Sequence, residues 1–410
     1  MAVSGNPLAR VRLGPVALDG GVVVLRRIRL DDYAEWRRIR LRDRERIEPY
    51  WHSSDLDWSQ RHTQRQWAHE CVIASEQAWS GRRLPLAIEI DGRFAGQIEL
   101  GSIDRRCGTA EMAIWLDARQ ARKGFAQVAA AMVFDYAFGP LGLTRVTAPI
   151  SSDNAPPART AAAVGLRREA VLAEYFDAGG GRRDHDLWAA TRSTAPAAGY
   201  LDRWLDGPDT PRAAAATWSG RPPAARRSPG GVLLARTVLR HGASRLWHLL
   251  DGLRHGEQVR LADPEHAEVL LRSRGWSDRR SLRGAVDMVR GRSIRSADGL
   301  VLVVEAGGVP IGACGLRDLD MFDRNITLFV QLDPHRADVR LLTTTIRLLL
   351  GYAAEHGIER VALTVEVGDS AGAAAAQAAG MRFEGTAADL RVDGREPGDY
   401  QLWAYLARHQ

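Results

Sequence analysis

Glu111-Met-Ala-Ile-Trp-Leu116, followed by Asp117-Ala-Arg-Gln-Ala-Arg-Lys-Gly-Phe-Ala126, is the stretch on which the reading of this chain turns. Its first part alternates. Glu111, Ala113 and Trp115 fall on one face and Met112, Ile114 and Leu116 on the other, the period of a strand. A basic turn comes next, and an apolar helix starts at Gln127. The turn brings Arg122, Lys123 and a glycine, Gly124, that lets backbone come close to a ligand. It also presents the unpaired N–H groups of a helix start, which together with the helix dipole make a ready phosphate site.

Working outward, Gly21 to Leu30 reads as a strand, and Asp31 and Asp32 are candidate caps for a helix carrying Tyr33, Trp36 and Ile39. Glu48-Pro-Tyr-Trp51 precedes a polar helical stretch through Trp67 and Ala74. Leu84–Ile90 and Arg93–Leu100 are strands joined by the hairpin turn Asp91-Gly92. Beyond the phosphate turn, a strand from Gly142 to Ala148 leads to Asn154, a short helix from Ala158 to Val164 is stopped by Gly165, and a last hairpin ends on Asp184-His-Asp-Leu-Trp-Ala189.

At 410 residues two domains are expected. Residues 196–229 are rich in Ala, Pro, Gly and Arg and read as a linker, although Tyr200-Leu-Asp-Arg-Trp-Leu205 is amphipathic enough to dock on a domain. After the linker the pattern restarts. Gly307-Gly-Val-Pro-Ile-Gly312 echoes Asp91-Gly-Arg-Phe-Ala-Gly96 at an offset of 312 − 96 = 216, and Asp333 follows Asp117 at the same offset. Gly230-Gly-Val-Leu-Leu234 echoes Gly20-Gly-Val-Val-Val24, and Tyr400-Gln-Leu-Trp403 echoes His185-Asp-Leu-Trp188. Steady offsets indicate a duplicated domain.

The net charge of +6 suits an anionic ligand or an acidic partner such as RNA or a ribosome, and follows equally from an Arg-, Ala- and Gly-rich coding bias. No specific nucleic-acid site is expected. The three cysteines, Cys71, Cys107 and Cys314, have no paired spacing, which argues against disulfides and a zinc site. Met1 to Gly20 has no apolar signal core, and no run reaches the roughly 20 apolar residues that span a bilayer. A soluble, cytoplasmic protein without a membrane partner is expected.

The order β-α-α-β-β-β-α-β-α-β, with a strand carboxylate ahead of a phosphate turn, resembles the GNAT acetyltransferases. Their loop (R/Q)-x-x-G-x-(G/A) corresponds to Ala121-Arg-Lys-Gly-Phe-Ala126, with Ala121 departing from the first polar position. "LPLAIEIDGRFAGQIEL", "AEMAIWLDARQARKGFA", "FDYAFGPLGLTRV" and "GRRDHDLWA" further resemble Rim-type ribosomal-protein alanine N-acetyltransferases, over about residues 20–192. The resemblance implies an α/β (α+β) architecture of two tandem GNAT domains, each a mixed, mostly antiparallel sheet flanked by helices. The domains would be 20–195 (catalytic) and 230–410 (non-catalytic), joined by 196–229.

The resemblance also implies acetyl-CoA as donor, with no metal. Ile114, Trp115 and Leu116 would pair with the pantetheine arm, Arg122, Lys123, Gly124, Phe125 and Ala126 would hold the pyrophosphate, and Asn154 would bind the arm. Glu111 is the candidate base, acting directly or through water on an ammonium of pKa about 8. The alternatives are that Glu111 pairs with an arginine and only shapes the acceptor pocket, and that Glu99 is the base. The general acid is a departure. Where Rim-type enzymes have a serine, this chain has Pro157, so Tyr175, a water or the helix dipole must serve. Cys107 reads as a surface thiol and His185 as a structural residue. Tyr50, Trp51 and Trp67 are candidates to line an acceptor groove, or else core.

In the second copy Ala337-Asp-Val-Arg-Leu-Leu342 replaces the turn. Asp338 would repel phosphate, Thr327 replaces Glu111, and Asp369 replaces Asn154. The expected activity is acetyl transfer to a protein or peptide α-amine, in a monomer with an internal pseudo-dimer or in a homodimer. Two alternatives stand beside it: tailoring or detoxification of a small-molecule or peptide natural-product amine, with an acetyl or a longer acyl donor, and a non-catalytic acyl-CoA-binding protein.

Overall fold

The computed structural model describes residues 7–207, 260–262, 269–273, 299–320, 323–392 and 395–407. Two compact units form, and they do not divide the chain at a single point. Residues 169–177 and 182–185 belong to the second unit, although the chain on either side of them belongs to the first. Residues 208–229 of the expected linker, and the repeat start at Gly230, lie outside the described residues.

The first unit opens with a strand that the sequence reading did not contain, β1 (Arg12–Leu18), paired antiparallel with β2 (Gly21–Arg27). Then come α1 (Tyr33–Arg42), α2 (Arg44–Ile47), α3 (Gln64–Ser80), β3 (Leu84–Ile90), β4 (Arg93–Asp104), β5 (Thr109–Leu116), α4 (Phe125–Phe138), β6 (Arg145–Ser151), α5 (Ala155–Val164), β7 (Arg167–Ala178), most of which belongs to the second unit, β8 (Gly181–Thr191) and α6 (Tyr200–Leu205). The sheet runs β1-β2-β3-β4-β5-β6-β8 in space, antiparallel in its hairpins and parallel between β5 and β6.

Period-two alternation gives this sheet two buried faces. Val23, Leu25, Leu86, Ile88, Ile98, Leu100 and Met112 pack on one side against α4, whose Phe125, Val128 and Phe134 are fully buried. On the other side Ala87, Phe94 and Trp115 meet Trp36 and Ile39 of α1 and Trp67 of α3. Trp67 is therefore core rather than groove lining. It is fully buried, and its indole donates to the Arg29 carbonyl at 3.0 Å. The Asp32 side chain does not cap α1. Its carboxylate accepts from the buried Arg26 guanidinium at 2.7 and 2.9 Å and from the Arg29 amide at 2.8 Å.

The second unit is built from β9 (Arg260–Ala262), β10 (Val269–Ser273), β11 (Gly299–Ala306), β12 (Val309–Asp320), β13 (Asn325–Leu332), α7 (Val339–Glu355), β14 (Arg360–Glu366), α8 (Ser370–Ala378), β15 (Arg382–Leu390) and β16 (Gly398–Leu406). Its strands run β15-β16-β14-β13-β12-β11-β10-β9. The offset of 216 seen in sequence reappears in register. Gly96 opposes Leu116 as Gly312 opposes Leu332, and the irregularity at Ile88/Glu89 returns at Val304/Glu305. The Asp117 amide donates to the Ala95 carbonyl at 2.7 Å, and the Asp333 amide to the Ile311 carbonyl at 2.8 Å.

Candidate active site

The site grows from the place where β5 and β6 part. Their parallel pairing joins Thr109, Ala110 and Glu111 to Arg145, Val146 and Thr147, and its register ends there, although β5 runs on to Leu116 and β6 to Ser151. Ile114, Trp115 and Leu116 thus lie past the last residue paired with β6. Glu111 marks the apex of that opening. It shares a sheet face with Gln97, Glu99 and Trp115, since Gly101 opposes Glu111, Glu99 opposes Ala113 and Gln97 opposes Trp115.

The turn after β5 is built rigidly. Asp117 is 5% exposed; it accepts from the Arg119 amide at 2.7 Å and pairs with Arg42. Asp43 accepts from the Ala118 amide at 2.9 Å and from Arg42 at 2.7 Å. Arg122 takes the left-handed conformation at φ 62°, and Gly124 does so at φ 82°. Gly124 stands at the N-cap of α4 without a side-chain cap, so the first-turn amides of this helix are left to other acceptors. Arg122 and Lys123 are exposed beside them.

Asn154 occupies the N-cap of α5, and its side chain does not cap that helix. Pro156 and Pro157 fall in the first turn, where a missing N–H costs little. The same two helix starts in the second unit carry side-chain caps. Asp338 accepts from the Leu341 amide at 2.7 Å and Asp369 from the Gly372 amide at 2.8 Å.

Tyr175 belongs to the second unit, with its ring against Phe176 and His185 and beneath the Arg360 guanidinium. His185 is 5% exposed and hydrogen-bonds through Nδ1 to the Arg183 carbonyl at 2.9 Å. Glu99 is ion-paired with Arg83. Cys71, Cys107 and Cys314 are free thiols, and burial pushes those of Cys71 and Cys314 well up. Among the described residues no group of three His, Cys, Asp or Glu side chains is placed to hold a metal ion, and no helix is long and apolar enough to cross a membrane.

Two features stand beside the turn and the strand, the first of them the docking that the amphipathic stretch 200–205 led us to expect. Helix α6 docks on α4. The Asp135 carboxylate accepts from the Tyr200 and Leu201 amides at 2.7 and 3.0 Å, and the Trp204 indole lies on the Cα of Gly124, where a Cβ would meet it at 2.7 Å. The second is a groove of about 320 Å³ along α3, lined by Trp36, Leu56, Arg61, Glu70, Ile73 and Arg83. Glu70 accepts from the Gln97 amide at 2.8 Å, and Gln97 accepts from the Trp115 indole at 3.0 Å. Behind them Arg40, 1% exposed, lies 3.6 Å from the Trp51 ring and 4.3 Å from the Trp115 ring. Burial pushes its pKa down to about 9. Burial likewise holds the Glu70 carboxyl above its usual range, against the pull of Gln97, Arg40 and Arg83.

Residues 23–167 match the acetyltransferase (GNAT) domain family. A Mycobacterium smegmatis RimJ, solved in complex with CoA-disulfide, is 34% identical; the match covers 47% of this chain and 93% of that one, with a TM-score of 0.46. Through its N-terminal half, this chain belongs to the GNAT acetyltransferase family. A ribosomal-protein-S5-alanine acetyltransferase from Vibrio fischeri is 19% identical over 42% of this chain and 94% of its own, at a TM-score of 0.39. A Vibrio cholerae spermidine N-acetyltransferase, solved with CoA and spermine, is 19% identical over 44% and 98%, at a TM-score of 0.36. No curated protein matches in sequence. The GNAT family match ends at residue 167, so α6 lies outside it.

Proposed function

We propose that the N-terminal half transfers an acetyl group from acetyl-CoA to the α-amine of a protein or peptide in the cytoplasm. The observation that carries this reading is the opening of the β5–β6 ladder at Glu111, beside a helix start that no side chain caps. Free strand groups at Ile114 to Leu116 suit the amide-bearing pantetheine arm. The α4 amides with Arg122 and Lys123 suit the pyrophosphate, as charge-assisted hydrogen bonds to backbone and cations. Asn154, with its side chain not used as a cap, suits the arm's far side. The choice of a protein α-amine follows the resemblance of the quoted segments to Rim-type enzymes.

Glu111 takes a proton from the ammonium, directly or through water, and the amine nitrogen then attacks the thioester carbonyl carbon. The C–S bond breaks, its electrons go to sulfur, and the second nitrogen proton passes to the thiolate. We further propose that the C-terminal half is a second copy of the fold without a donor site. The register offset supports the duplication, and the two carboxylate caps support the loss.

Calorimetric titration of acetyl-CoA into the full chain tests the reading, and one site per chain is expected. Gly124→Val forces a branched side chain into a left-handed φ and against Trp204, and should weaken binding at least 100-fold. Glu111→Gln should leave binding intact and lower acetyl transfer to an alanyl-peptide roughly 100-fold, the scale of a lost general base. Two sites would refute the account of the second half. An unchanged rate in Glu111→Gln would remove that residue as base.

A further inference from the structure

We propose that Glu70 sets acceptor specificity, holding a lone ammonium in the groove along α3 while the arginines around it turn polycations away. This rests on the acetyl-transfer reading and adds to it the residue that receives the amine. Three observations carry it.

The first is a hydrogen-bond chain that links the groove to the strand expected to hold the donor. An indole N–H only donates, so Trp115 fixes which end of the Gln97 amide is oxygen, and the NH2 end must then face Glu70. Glu70 Oε1 is thereby engaged. Oε2 accepts no hydrogen bond among the described residues, and Glu70 lines the groove. A half-buried carboxylate with one oxygen unused gains most from an incoming charged donor.

The second is the balance of charge. Glu99 is neutralised by Arg83, while Arg61 lines the groove and Arg40 stands behind it. One carboxylate therefore faces a field that is otherwise positive. A single ammonium next to neutral amide groups fits. A polyamine brings further charges that would lie against Arg61, and like charges at close range in a half-buried site repel strongly.

The third is an unused donor. Trp36 is 3% exposed and lines the groove, yet its indole Nε1 has no hydrogen-bond partner, and Nε and Nη1 of Arg40 have none either. Buried donors without acceptors are rare. A carbonyl-bearing ligand such as a peptide supplies acceptors that an alkylamine lacks.

The test is calorimetry on the full chain with three probes, alanyl-alaninamide, its N-acetylated form and spermidine, with and without saturating CoA. Wild type should bind alanyl-alaninamide, at least 10-fold tighter than it binds the acetylated form or spermidine. Glu70→Gln should erase that preference while binding CoA as wild type does. Arg61→Ala should raise spermidine affinity several-fold. The proposal is overturned if alanyl-alaninamide binds equally to wild type and Glu70→Gln, if wild type does not bind it, or if spermidine binds wild type more tightly. Absence of CoA binding would instead count against the donor site, since the amine titration without CoA still reports on Glu70.

Discussion

Acid should loosen the N-terminal half through a single imidazole. His62 is 2% exposed, with its ring 4.2 Å from that of Trp58 and 4.9 Å from that of Trp36, and its Nδ1 bonds to the Trp58 carbonyl at 2.5 Å. Burial, with Arg40, Arg61 and Arg37 nearby, pulls its pKa from 6.5 to about 4. Because the folded pKa lies below the unfolded one, the unfolded chain binds more protons between those values. Stability is therefore full above about pH 6.5 and falls as pH drops through the folded pKa. The whole shift corresponds to about 3 kcal/mol, of which about 2 kcal/mol should be gone by pH 5. Urea unfolding followed by tryptophan fluorescence at pH 7.5 and pH 5 measures this, with His62→Gln as the control. The variant starts less stable but should lose about 2 kcal/mol less on acidification. Equal losses in the two proteins would refute the argument, and would mean that the ring is protonated in the fold or that other groups dominate.

Two further predictions concern stability. Arg26→Met strands the Asp32 and Glu89 carboxylates, each at most 7% exposed, and should cost about 3–5 kcal/mol in urea unfolding. Asp338→Ala should cost about 1 kcal/mol as a lost helix cap, read from the unfolding midpoint of the second unit, and should not create a second acetyl-CoA site.

Much of the first unit was legible because its signals are local. Alternation placed Glu111, Ala113 and Trp115 on one face, Asp91-Gly92 marked the β3–β4 hairpin, and Gly165 stopped α5 in the left-handed conformation at φ 103°. Strand β1 was illegible because Pro15 sits inside it, which a local reading takes as evidence against a strand. At the sheet edge the missing N–H is tolerated, and the register shifts between Leu13 and Val16. Its position before a helix makes Asp32 a candidate cap. What overrode that reading was a buried arginine six residues earlier, whose charge a cap could not have neutralised.

The groove was missed for a different reason. Glu70 and Gln97 touch across 27 positions of sequence, and their contact depends on how α3 is rotated over the sheet. That rotation is set by Trp67, Ala68, Ala74 and Ala78 going inward, which leaves Glu70 and Ile73 at the groove. Counting apolar positions identifies the buried stripe but not which polar neighbour of the stripe meets which strand. Tyr50, Trp51 and Trp67 stand out in the sequence as aromatics. Yet Trp67 goes to the core and Trp51 to Arg40, and Glu70, on the same helix as Trp67, carries the more specific information.

The helix starts are where the two halves part chemically. A carboxylate at an N-cap is worth about 1 kcal/mol to a helix, and a bound phosphate uses the same amides. A chain that caps α7 with Asp338 and α8 with Asp369 engages a first-turn amide of each helix and sets a carboxylate at each start. The first half leaves α4 and α5 without side-chain caps and secures the approach to α4 from outside, through Asp117, Asp43 and Arg42 behind the turn and Trp204 upon it. On this argument the missing caps are a stability cost that a phosphate-bearing donor would offset on binding. Acetyl-CoA should therefore raise the unfolding midpoint of the first unit and leave that of the second where it was.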